Sequence, residues 1–62
     1  MVKLHCKAGA LHYKLGQYAL AVEEFTKAID LDSKCIEAYE NRGITYDELG
    51  EQEKAQADLI SG

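Results

Sequence analysis

With 62 residues the chain is one domain at most, and its net charge of −4 denies it the basic footprint that nucleic-acid binding needs. Its hydrophobic share of 47% excludes disorder, yet no apolar stretch approaches the ~20 residues that a membrane span requires. Alanine, leucine, glutamate and lysine dominate and proline is absent, the composition of an all-α chain.

The pattern predicts four helices, over about 3–15, 18–31, 36–49 and 52–60. The first closes at Leu15-Gly16, where glycine suits the left-handed residue that ends a helix. In the second, Tyr18, Ala21, Val22, Phe25, Ala28 and Ile29 form one apolar stripe. Glu23, Glu24, Lys27 and Asp30 lie opposite it, and Phe25, the single phenylalanine, is the expected centre of the core. Asp32 and Ser33 then interrupt the chain with side chains suited to capping. The third helix carries Ile36, Tyr39, Gly43, Tyr46 and Leu49 as its stripe and closes at Gly50. All connections are short, so successive helices run antiparallel.

A shift of 34 residues lays Gly9 on Gly43, His12 on Tyr46, Leu15-Gly16 on Leu49-Gly50, Ala21 on Ala55 and Phe25 on Leu59. Ala8-Gly9, Tyr13, Leu15-Gly16, Tyr18, Ala21, Phe25, Ala28 and Leu31-Asp32 together resemble one unit of the tetratricopeptide repeat family. Tyr39, Asn41-Arg42-Gly43, Tyr46, Leu49-Gly50, Ala55 and Leu59 resemble a second. The resemblance implies two tandem antiparallel helix-turn-helix repeats, 2–35 and a C-terminally truncated 36–62, stacked as a right-handed superhelix with a concave face. Gly9 is then expected against the region of Ala21. His5, His12, Ser33, Arg42 and Gln52 depart from the family pattern, and the polar Arg42 and Gln52 suggest a less well packed second repeat.

Little in the sequence points to chemistry. His5 and His12 stand seven apart, about 10.5 Å along a helix, too far to chelate one metal ion. Both read as replacements for packing aromatics. Cys6 and Cys35 have no partner base, no Cys-x-x-Cys spacing and no leader before them, and they fall at different repeat positions. They read as two reduced intracellular thiols. No enzyme activity, cofactor or metal is expected, and the expected location is cytoplasmic. The run Asp47, Glu48, Glu51 reads as a solvated helix end.

In the repeat register the concave face takes Lys3, Cys6, Lys7, Ala10, Tyr13 and Lys14 from the first helix. From the third it takes Glu37, Glu40, Asn41, Ile44, Asp47 and Glu48. Some members of the family clamp a peptide carboxylate with lysine and asparagine side chains. Asn41 fits one position of that clamp, but Cys6 and Ala10 stand where its first Lys and Asn would be, so a complete clamp is not expected. Residues 1–35 carry five lysines against four acids, and residues 36–62 two bases against seven acids, so the face is basic at one end and acidic at the other. The resemblance implies a scaffold that binds a protein or peptide. The alternative is a self-assembling element, a homo-oligomer joined through Leu4, Ala8 and Leu11 at one end and Ala55, Leu59 and Ile60 at the other.

Overall fold

Two glycines turn the chain back on itself. A computed structural model, which describes residues 2–61 (the backbone alone at Ser61), has four helices and no strand among those residues. They are α1 (Val2–Lys14), α2 (Tyr18–Leu31), α3 (Ile36–Glu48) and α4 (Gln52–Ser61). Gly16 and Gly50 have φ of 78° and 81°, left-handed values that a side chain would strain. Around the first, Gly16 N–H donates to Tyr13 O (3.0 Å) and Gln17 N–H to His12 O (2.8 Å). Around the second, Gly50 N–H donates to Asp47 O (3.0 Å) and Glu51 N–H to Tyr46 O (2.9 Å). This double-bonded helix stop satisfies carbonyls that would otherwise lack donors, and it recurs in the same 34-residue register. Leu15 and Leu49 belong to these turns rather than to the helices, so α1 and α3 end one residue earlier than the pattern predicts.

The turn between α2 and α3 differs. Asp32 Oδ1 accepts the Lys34 N–H at 3.0 Å and tightens the turn itself. Cys35 is the residue that precedes α3, and no side chain caps that helix. The expected capping by Asp32 and Ser33 is therefore replaced by a turn that Asp32 stabilises from within.

α1 packs on α2, α3 on α4, and α2 on α3. Ala21, Ala28 and Ala38 are fully buried and let the helices approach closely. A Cβ added to Gly9 would stand 2.5 Å from Phe25 Cε1, so Gly9 lies against the Phe25 ring, one turn beyond Ala21. Gly43 repeats the arrangement, since a Cβ there would stand 2.9 Å from Leu59 Cγ. The burial of the two partners differs: Phe25 is 1% exposed and Leu59 47%. α3 covers α2, whereas no helix among the described residues covers the outer face of α4.

α3 is buried on more than one side, which a single apolar stripe does not describe. Ala38 meets Cys6, Ala28 and Ile29, while Gly43 meets α4. Thr45 is fully buried, its hydroxyl donating to Asn41 O at 2.8 Å, whereas the predicted stripe residues Ile36 and Leu49 are exposed. Arg42 does not loosen the second hairpin. Its Nε donates to Asp58 Oδ2 (2.7 Å), its Nη2 to Asp58 Oδ1 (2.8 Å) and its Nη1 to Thr26 Oγ1 (3.1 Å). The Tyr39 and Tyr46 rings flank its guanidinium at 5.6 and 5.8 Å. One side chain thus joins α3 to both α4 and α2. The Asp58 hydrogen bond holds the guanidinium above its ordinary pKa, against the opposing effect of burial.

Candidate functional site

On α1, Lys3, Lys7, Ala10 and Lys14 fall at i, i+4, i+7 and i+11 and share one helix face. On α3, Glu37, Asn41, Ile44 and Glu48 repeat that spacing 34 residues later. Between the two helices lies a depression of about 180 Å³, lined by Ala10, Tyr13, Lys14, Phe25, Asn41 and Ile44. Its surface is predominantly apolar, with Phe25 contributed from α2. A second depression of about 200 Å³ is lined by Lys3, Cys6, Lys7, Ala10 and Glu37. Ala10 borders both, so the two depressions lie next to each other along α1.

Asp47 and Glu48 line neither depression, but their negative charges reach Tyr13. Loss of solvent raises the Tyr13 hydroxyl above its ordinary pKa, and Glu48, Tyr18 and Asp47 push it further. The Tyr13 ring leans on Tyr18, with centroids 5.4 Å apart and planes tilted by 56°. Glu40 is exposed and borders neither depression. The Asn41 side-chain amide makes no hydrogen bond among the described residues and borders the first depression.

The histidines tie helix to helix or helix to turn. His5 Nδ1–H donates to Glu24 Oε1 at 2.8 Å and joins α1 to α2. This hydrogen bond holds the Glu24 carboxyl below its usual pKa. His12 Nδ1–H donates to Gln17 Oε1 at 2.8 Å. Among the described residues no three of His, Cys, Asp and Glu cluster as metal ligands would.

The cysteines bring an unexpected contact. Cys6 Sγ and Cys35 Sγ stand 3.9 Å apart, although the residues are separated by 29 positions and occupy different repeat positions. Stacking of the two repeats brings the start of α3 beside the first turns of α1, a proximity that no spacing within either helix signals.

A profile of the TPR repeat matches residues 9–50, from Gly9 in α1 to the Gly50 turn after α3. The chain belongs to the tetratricopeptide repeat family. Repeats of this family are scaffolds for protein–protein interaction rather than enzymes. The tetratricopeptide chain is also similar to human zinc finger CCCH domain-containing protein 7B, with 34% identity over 55 residues. That alignment covers 89% of this chain and spans 6% of the human protein's length.

Proposed function

We propose that the chain is a non-catalytic tetratricopeptide scaffold, with units 2–35 and 36–62, that seats a segment of a partner protein in the groove between α1 and α3. The observation that carries this reading is the apolar depression floored by Phe25 and bordered by the free amide of Asn41. An apolar partner side chain fills the space among Ala10, Phe25 and Ile44, while Asn41 and Tyr13 hydrogen-bond the partner's backbone. Lys3, Lys7 and Lys14 attract acidic partner residues, and Glu37, Glu40, Asp47 and Glu48 attract basic ones, which fixes direction more than it adds affinity. The acidic balance of the chain disfavours nucleic acid as the occupant. Its proposed location is the cytoplasm, a reducing compartment in which Cys6 and Cys35 rest as free thiols until the glutathione pool turns oxidised.

The test is selection of binders from a displayed random-peptide library, followed by titration. Selected peptides should share an apolar residue flanked by opposite charges. Ile44→Asp and Ala10→Tyr should each weaken them by at least about tenfold, roughly 1.4 kcal/mol, with helical circular dichroism retained. Peptides that bind both folded variants unchanged overturn the reading.

Exposed apolar residues favour a second reading, self-association. Leu4 on α1 is 67% exposed and Ile60 on α4 is 84% exposed. With a basic first hairpin and an acidic second, copies would meet end to end, and added salt would weaken the contact over about 8–10 Å. Light scattering at high concentration and low salt decides; a strict monomer with α4 ordered rules this reading out.

A further inference from the structure

We propose that Cys6 and Cys35 form a dithiol site that reacts with low-molecular-weight disulfides of the glutathione class and closes into an internal disulfide. The two sulfur atoms stand 3.9 Å apart, so a bond of about 2.05 Å needs a movement of under about 2 Å. Such a movement is open to Cys35, whose side chain caps nothing and which lies in the short turn between α2 and α3. The depression of about 200 Å³ lined by Lys3, Cys6, Lys7 and Glu37 borders the pair on the Cys6 side, and Cys35, its sulfur 3.9 Å from that of Cys6, is the more exposed of the two. The two lysines favour an anionic peptide disulfide over a neutral one. No third sulfur, histidine or carboxylate among the described residues joins the pair to make a metal cage.

The two thiols differ in a way that orders the chemistry. Burial, then the hydrogen bond with Cys35 and the negative charge of a Cys35 thiolate and of Glu37, push the Cys6 thiol from 9.0 up to about 11. Cys35 is half-buried whereas Cys6 is 5% exposed, so Cys35 is the thiol that a small disulfide reaches first. Cys35 attacks as its thiolate, its proton passing to solvent, at one sulfur of the small disulfide, expelling one thiolate and forming a mixed disulfide. Cys6 then gives its proton to solvent and attacks the Cys35 sulfur, expelling the second thiolate. Two protein thiols are oxidised, one small disulfide is reduced, and the two released protons end on the two small thiols. The product ties α1 directly to the start of α3, the two walls of the groove, and fixes their spacing at its Lys3–Glu37 end.

The experiment equilibrates the full chain with graded ratios of reduced and oxidised glutathione, quenches it with acid, and reads mass and thermal midpoint. The expected product is a monomer lighter by two hydrogens whose melting temperature rises by roughly 10–20 °C, reversed by dithiothreitol. Cys6→Ser and Cys35→Ser should each gain at most one glutathione. They should need a concentration of oxidised glutathione at least about tenfold above that which closes the native pair, because the internal step has no diffusing partner. Stable glutathione adducts on both native cysteines, a disulfide-linked dimer, or a native chain that stays reduced where the single variants are modified would each overturn the proposal.

Discussion

Gly9 and Phe25 fit one another as a pair, and a single methyl group is enough to separate them. Gly9→Ala gains roughly 1 kcal/mol of helix propensity, but the new Cβ would meet a fully enclosed ring, so we expect a net loss of about 1–2 kcal/mol. Gly43→Ala should cost less, because Leu59 is half exposed and can rotate away, which leaves the Ala55 carbonyl at 3.1 Å as the fixed neighbour, against the 2.5 Å approach of Gly9 to the enclosed Phe25 ring. Urea unfolding followed by circular dichroism ranks the two, and an equal loss would mean that Phe25 yields as readily as Leu59. Phe25→Ala should cost about 3–5 kcal/mol, close to the whole stability of so small a domain, and abolish the helical signal at 25 °C. At the same scale, the raised thiol of Cys6 predicts slow alkylation. Iodoacetamide at neutral pH should modify Cys35 well before Cys6, and peptide mapping of the partly labelled chain shows the order.

Among the elements, the Arg42 fork determines how α3 and α4 hold together. Removing only its carboxylate strands a mostly buried guanidinium, so Asp58→Ala should cost about 3 kcal/mol. The pair Arg42→Leu with Asp58→Ala should be more stable than Asp58→Ala alone, since no unpaired charge is left; a double-mutant cycle by thermal unfolding measures the difference. The His5–Glu24 contact between α1 and α2 gives a pH dependence of definite sign. Glu24 is held below its unfolded pKa, so its contribution is present above the ordinary carboxylate range and is lost as pH falls through the folded value. Glu24→Gln should therefore lower the melting temperature at pH 7, and the difference should shrink as the pH falls below the ordinary carboxylate range. The four helices were legible because their signals are local: the Phe25 stripe, Gly16 and Gly50. The same period, once the 34-residue register was set, puts Ala10, Asn41 and Ile44 on the sides of α1 and α3 that border the depression, whereas Glu40, Asp47 and Glu48 share that register and border none. Arg42 and Asp58 are 16 positions apart and Cys6 and Cys35 are 29 apart, and no periodicity reports such contacts. Thr45 and Ala38 escaped for another reason: one is polar and the other small, so neither marks a buried face until three helices are seen to surround α3.

For the whole molecule, what matters is that equivalent positions do not carry equal weight. Phe25 and Leu59 occupy the same place in the repeat, yet one is enclosed by the next helix and the other is half in water. In a stacked array each unit is stabilised by itself and by its neighbour, and α4 has a neighbour on one side alone among the described residues. The chain should then open from α4 inward before it unfolds as a whole. Amide hydrogen exchange would show this as a gradient, with Ala55–Leu59 exchanging fastest and the Ala21–Ile29 stretch slowest. Anything that lies down on the outer face of α4, whether another helix of a longer protein or a second copy, should slow the fast end selectively. The exchange rate of one short helix therefore becomes a gauge of occupancy on the open side of the stack.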